Sequence, residues 1–107
     1  GANHLLFSSA RLEWLKTLKQ RKPEFEVQAI LGLFPEDPMD FSDPFFDTFN
    51  PRYTRLTLDE FKMQVELGVK LNPYSVNDDE MIASLIEIGV TGLITDFPQR
   101  VLKQCLA

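Results

Sequence analysis

One cysteine in 107 residues, Cys105, excludes an internal disulfide. Its neighbours Val101, Leu102 and Leu106 mark it as a buried structural thiol. Histidine is equally scarce. His4 is the only one, and it precedes the first apolar run, at the wrong end of a strand for a catalytic rim. No His/Asp/Glu cluster has metal-ligand spacing. No glycine-rich phosphate loop follows an apolar run. No stretch approaches the ~20 apolar residues of a membrane span. No signal-peptide pattern is visible, which by itself excludes nothing. Positive charge is also short: 11 Lys and Arg against 16 Asp and Glu give a net charge of −5. That balance excludes nucleic-acid binding through a basic stripe. The one basic run, Lys16 to Lys22, reads as the solvated end of a helix, where cations also suit the helix dipole.

What is present is an ordinary globular composition, 44% hydrophobic and 25% charged, with a surplus of nine Phe. The length suits a single domain over residues 1–107 that buries roughly two thirds of its unfolded surface.

Leu5-Leu6-Phe7 reads as a strand ending at Ser8-Ser9, with Ser9 as N-cap of the next helix. Leu12, Leu15 and Leu18, with Trp14 beside them, give that helix its apolar face, and Pro23 stops it. Val27 to Leu33 is a nearly continuous apolar strand of the kind buried in a parallel sheet. The next twenty residues, with Pro35, Pro38, Pro44 and Pro51, read as a long loop with a short extended piece at Phe45 to Phe49. Thr57 and Glu60 form a capping box before a helix whose buried face is Leu58, Phe61 and Val65 and whose end is Gly68. Val69 to Val76 is a third strand, interrupted by Pro73. A helix with Met81, Ile82, Leu85 and Ile86 follows and closes at Gly89. Gly92 to Ile94 is a fourth strand, and Pro98 opens a last helix. The order predicts an α/β fold of parallel β/α units with helices outside the sheet.

In such folds sites lie at the carboxyl ends of the strands. Those ends are Ser8-Ser9, the segment after Leu33, Tyr74 to Asn77, and Thr95-Asp96. They supply hydroxyls, an amide, an aromatic ring and a carboxylate, a set suited to binding and thin for catalysis. Asn77 reads first as the cap of its helix. Asp40, Asp43 and Asp47 fit a turn-rich loop better than a calcium loop, since the glycine of such a loop is missing.

The last third carries a specific signature. Tyr74-Ser75-Val76-Asn77 and Gly89-Val90-Thr91-Gly92-Leu93-Ile94-Thr95-Asp96-Phe97-Pro98 resemble the end of the glycerophosphodiester phosphodiesterase family. There a Trp/Tyr-Thr-Val-Asn strand and a Met-bearing helix precede Gly-Val-Asp-Gly-Ile-Ile-Thr-Asp-x-Pro. Leu6-Phe7-Ser8-Ser9 and Phe49 to Tyr53 are similar to earlier family elements. Ala10 and Thr91 depart from the pattern, where the family usually has Phe and Asp. The resemblance implies a (β/α)8 TIM barrel of which this chain would be the last four strands, a half barrel, at under half of the typical ~250 residues.

The family's His-Arg pair, acidic metal ligands and second His have no counterpart here, so the resemblance implies that the chain alone is inactive. Its share would be barrel closure and the wall of the substrate pocket, with Tyr74, Asn77 and Ser9 as substrate-binding residues. No cofactor is expected in this chain. The complete family enzyme would use a divalent metal, Ca or Mg, to cleave a glycerophosphodiester in lipid and glycerol metabolism. The implied partner is the missing N-terminal half barrel or, in a noncatalytic binding or assembly module of the same fold, a second copy or another chain. A third reading is an unrelated small α/β domain with a ligand at its strand tips. The compartment is left open, a soluble cytoplasmic protein being the reading favoured.

Overall fold

The computed structural model describes residues 6–106, the side chains of Cys105 and Leu106 excepted. The expectations for His4, for Leu5 as a strand residue and for Cys105 and Leu106 as core residues fall outside the described residues. The chain begins with a βαβ unit: β1 (Leu6–Ser9), α1 (Leu12–Arg21) and β2 (Glu26–Leu31). The two strands pair in parallel with Phe7 beside Val27 and Ser9 beside Ala29. β2 stops short of the predicted Leu33, because Gly32 turns the chain with a φ of +76° and Leu33 leaves the sheet 40% exposed.

The third strand is not where the sequence put it. β3 (Thr48–Pro51) lies inside the expected loop, pairs in parallel with β2, and is buried at all four positions. Its signal is masked by Pro44 and Pro51, by Asp43 and Asp47, and by its shortness. Loop phenylalanines fasten the approach to it. Phe46 packs on Phe49 with ring centroids 5.9 Å apart, and Phe41 meets Phe49 edge-on at 5.5 Å. A short 3-10 turn (Tyr53–Arg55) leads to α2 (Leu58–Glu66), and then come α3 (Asp79–Ile88) and α4 (Pro98–Leu106).

The strands expected at Val69–Val76 and Gly92–Ile94 are reduced to single parallel bridges, Phe49 with Leu71, Arg52 with Tyr74, and Tyr74 with Ile94. Proline is the reason. Pro51 and Pro73 have no N–H to donate, so the ladder keeps only alternate bonds. Their carbonyls still accept, from Tyr74 N–H at 3.0 Å and Ile94 N–H at 2.9 Å. The order across the sheet is therefore β1, β2, β3, the 71–74 segment and Ile94, all parallel. This corrects the four-strand expectation: three regular strands are extended by two bridged segments.

Alternation divides the sheet into two faces. Val27, Ala29, Leu31, Phe49 and Leu71 form one, fully or nearly fully buried, and the core continues into Phe61, Ile82 and Leu85 of the helices. Leu58 of α2, expected in the buried face, is 39% exposed, since it belongs to the first turn beyond the reach of the sheet. Trp14 is also outside the core, 63% exposed, with the Arg11 guanidinium 4.6 Å over its ring.

Helix ends follow the sequence closely. The Thr57 hydroxyl accepts from Glu60 N–H at 3.1 Å, and the Glu60 carboxylate accepts from Thr57 N–H at 3.0 Å. Gly68, at φ +87°, closes α2 in a Schellman motif: Val69 N–H reaches Gln64 O and Gly68 N–H reaches Val65 O. Two caps differ. Ser9 does not cap α1; Arg11 stands at that position without a side-chain cap, while the Ser9 hydroxyl accepts from Arg11 N–H at 3.0 Å in a local turn. Asn77 does not cap α3 either. Asp78 does, accepting from Met81 N–H at 3.0 Å.

Candidate functional site

The second face of the sheet is mainly polar, with Ile30 on it beside Asn50. Ser8 of β1, Gln28 of β2, Asn50 of β3 and Asn72 of the next segment form one connected hydrogen-bond network. The Ser8 hydroxyl donates to Asn50 Oδ1 at 2.6 Å, and Asn50 Nδ2 donates to Gln28 Oε1 at 2.9 Å. Asn50 Nδ2 also reaches the Asn72 carbonyl at 3.3 Å, and Asn72 Nδ2 reaches Gln28 Oε1 at 3.4 Å. Gln28 Nε2 donates to Glu26 at 2.6 Å. Asn50 is fully buried and Gln28 nearly so, and almost every buried polar atom here has a partner. Asn72 Oδ1 is the exception, buried and without a donor.

Sequence reasoning passed over this network, although a signal was there. Phe49-Asn50-Pro51 and Leu71-Asn72-Pro73 are the same apolar-Asn-Pro triplet. The bridge between Phe49 and Leu71 sets them side by side, so the two asparagines share the polar face and the two prolines the buried one.

At the carboxyl rim, Tyr74 is half-buried and its hydroxyl donates to the Leu31 carbonyl at 3.4 Å, reaching across β3 to the tip of β2. Burial raises the phenol above its ordinary value, and the nearby Arg52 opposes that shift. Its neighbour Ser75 holds a φ of +63°, the single positive φ among the described non-glycine residues. Such backbone is costly and is held by its surroundings. Here Tyr74 and Val76 on either side are tied into the sheet through Pro51 O and Ile94 O.

Asn77 is a rim connector. Its Oδ1 accepts from the Thr95 hydroxyl at 2.9 Å and from Asp96 N–H at 3.0 Å, while its Nδ2 donates to the Asp96 carboxylate at 3.0 Å. Arg100 of α4 donates to the Asn77 carbonyl at 3.1 Å. Tyr74 and Asn77 thus share one segment. Ser9 does not join them. It lies three strand positions away, roughly 14 Å at ~4.8 Å per strand, and alternation puts it on the helix-covered face, beside Ala29. Ser8, not Ser9, belongs to the polar face.

The described residues do not fit a metal site. No three His, Cys, Asp or Glu side chains converge among them. The loop aspartates point to different partners. Asp43 pairs with Lys16 at 2.7 Å and accepts from Phe45 N–H, which holds its carboxyl below the ordinary range. Asp47 meets Lys19 at 3.4 Å. Asp40 accepts from the hydroxyl and N–H of Ser42, which lower it as well.

A parallel sheet with helices on one face, a mainly polar second face and polar loops at its carboxyl rim defines the class: an α/β protein with a fold like that of the TIM-barrel enzymes. The family is specific. Residues 1–100 match the glycerophosphoryl diester phosphodiesterase family, and the chain belongs to it. No curated protein matches the chain. Among solved structures it is similar to one from Silicibacter pomeroyi DSS-3 assigned as a glycerophosphoryl diester phosphodiesterase, at 22% identity and a TM-score of 0.74. That match covers 94% of this chain and 37% of the other. It is likewise similar to a glycerophosphodiester phosphodiesterase from Parabacteroides distasonis ATCC 8503, at 25% identity and a TM-score of 0.69, over 90% of this chain and 40% of that one. A third, from Galdieria sulphuraria and assigned to the same enzymes, shows 15% identity and a TM-score of 0.74, over 95% and 44%. The chain therefore spans under half the length of each.

Proposed function

We propose that residues 1–107 are one structural unit, the C-terminal part of a glycerophosphodiester phosphodiesterase barrel, contributing barrel closure and substrate-pocket wall to a site whose catalytic groups lie on other strands. The observation that carries this reading is the polar face of the sheet, with its orphaned Asn72 Oδ1. A hydrogen-bonded amide network on a sheet face with no covering helix has the chemistry of a barrel interior, and an unpartnered buried acceptor calls for a donor from another strand. The bridged segments sharpen the half-barrel expectation: the chain would supply five consecutive strand positions, leaving three to come from elsewhere. In this reading Tyr74 packs on the glycerol moiety, Asn77 fixes the rim loop beside it, and Ser9 is replaced by Ser8 as the hydroxyl of the interior. A divalent metal held by the remaining strands would polarise the phosphodiester.

The edges favour a second reading as well. Leu6, Phe7 and Ile94 are exposed at the two sheet edges, 52%, 38% and 44% respectively, and such edges invite pairing. A noncatalytic module would pair them with its own copy or with another chain.

Two measurements separate the readings. The protein bearing this chain, assayed on glycerophosphocholine with and without divalent metal, should turn over only when the preceding strands with a His-Arg tip and acidic ligands are present. Turnover by residues 1–107 alone would sink the claim that the catalyst lies elsewhere. Light scattering on the isolated chain addresses the module, which a stable, active-site-free monomer would rule out.

A further inference from the structure

The turn that follows β2 stands out of the sheet. Leu33, Phe34, Pro35 and Glu36 are all exposed, so burial does not hold it. Its own hydrogen bonds define its shape. Pro35 takes the second position of a β-turn in which Asp37 N–H reaches Phe34 O at 3.0 Å, and the Asp37 carboxylate accepts from Phe34 N–H at 2.9 Å. Both of these bonds stay inside the turn. The tie to the rest of the protein comes from Arg55, in the 3-10 turn beyond β3. Its Nη1 donates to Phe34 O and its Nη2 to Asp37 O, both at 3.0 Å, so one guanidinium spans the first and last residues of the turn. Gly32 opens the way for it. Its φ of +76° swings the chain out of β2, and a Cβ at this position would lie 3.0 Å from Arg55 Cγ, where the arginine stem crosses.

We propose that Arg55 is a positioning residue of the carboxyl rim: it latches the exposed turn Phe34–Asp37 at the tip of β2 and so fixes the wall of the site next to Tyr74. The tip of β2 and Tyr74 are joined directly. Leu31 O accepts from Arg52 N–H at 2.9 Å and from the Tyr74 hydroxyl at 3.4 Å. The Tyr74 phenol, raised chiefly by burial, also feels the charges of Arg52, Asp37 and Arg55, so the latch stands beside it. The fork matters more than the charge. A guanidinium presents its N–H groups in a fixed plane and can serve two carbonyls at once, whereas an ammonium is a point charge on a flexible stem. This role deepens the phosphodiesterase reading and rests on it only for the effect on turnover. Arg55 acts through the turn and touches no reacting group, so its loss belongs in substrate binding and not in the chemical step.

The test uses the protein bearing this chain and two variants. Arg55→Lys keeps the charge and loses the fork, and Arg55→Gln loses both. Amide hydrogen exchange is read first and needs no turnover. The Phe34 and Asp37 amides should exchange about tenfold faster in both variants, while the buried amides of β2 keep their wild-type rates. On glycerophosphocholine, KM should rise about fivefold in both variants with kcat within about twofold of wild type. Wild-type exchange at Phe34 and Asp37 in Arg55→Gln, faster exchange throughout β2, a KM fully restored in Arg55→Lys, or a lowered kcat at unchanged KM would each overturn the proposal. Absence of turnover by the wild type would remove the phosphodiesterase reading instead, and the exchange comparison would then decide the latch by itself.

Discussion

The two faces of the sheet are built from alternate residues of the same strands, yet they follow different rules. On the helix-covered face Val27, Ala29, Leu31, Phe49 and Leu71 meet Phe61, Ile82 and Leu85, and the stabilisation is area removed from water. On the other face Ser8, Gln28, Asn50 and Asn72 are joined by oriented hydrogen bonds, and stability depends on every atom finding a partner. The first face is complete within this chain. The second ends on an acceptor without a donor. The contrast teaches that one face is satisfied by burial alone, while the other depends on the partner of each atom.

The largest break in that contrast comes from the apolar side. Phe61→Ala empties a fully buried site and should cost about 3–5 kcal/mol in urea unfolding, a large share of the stability of a domain this size. Next is Asn50→Ala, which takes the acceptor from the Ser8 hydroxyl, the side-chain donor from the Asn72 carbonyl and one of two donors from Gln28 Oε1; a loss of about 1–3 kcal/mol is expected by the same measurement. A cost equal to that of Phe61→Ala would show the polar face to be a second core of this chain, and the contrast would collapse.

Smaller effects sharpen it at the periphery. Asp43 is held below its ordinary value of 3.8, chiefly by the hydrogen bond from Lys16. A lowered folded value means that the pair stabilises above pH ~4 and that this contribution is lost as the pH falls through the folded value. The pair is partly exposed, so an acid titration of stability should show Asp43→Asn and wild type converging as the pH falls through the lowered folded value, from a difference of at most about 1 kcal/mol. The least effect belongs to Tyr74→Phe. Its hydrogen bond to Leu31 O is long at 3.4 Å, so about 0.5 kcal/mol or less is expected at neutral pH, with the near-ultraviolet signal of the rim changed more than the midpoint.

Much of this was legible in the chain itself. The capping box at Thr57 and Glu60, the glycine stops at Gly68 and Gly89, and Pro98 at the head of α4 are local devices, written within a few residues and read as such. The family signature at Gly89 to Pro98 was legible for the same reason. The strand Thr48–Pro51, expected only as an extended piece at Phe45 to Phe49, has no local pattern that outweighs its prolines and aspartates; it is a sheet strand because Gln28 to Leu31 on one side and Leu71 on the other pair with it. The cap at Asp78 instead of Asn77 was undecidable by sequence alone, since both residues suit the position. Asn77 is drawn away by Thr95 and Asp96, 18 and 19 residues further on.

The sequence by itself determined the four helices, most of their ends and the family, because each depends on side chains near one another along the chain. Tertiary structure alone decided that Asn50 and Asn72 lie side by side, that Ser8 rather than Ser9 enters the polar network, and that Tyr74 reaches the tip of β2. Parallel strands are joined by crossovers, through a helix or, between β2 and β3, through the loop at 32–47, so their neighbours are distant in sequence. Only the register of pairing says which face a residue takes.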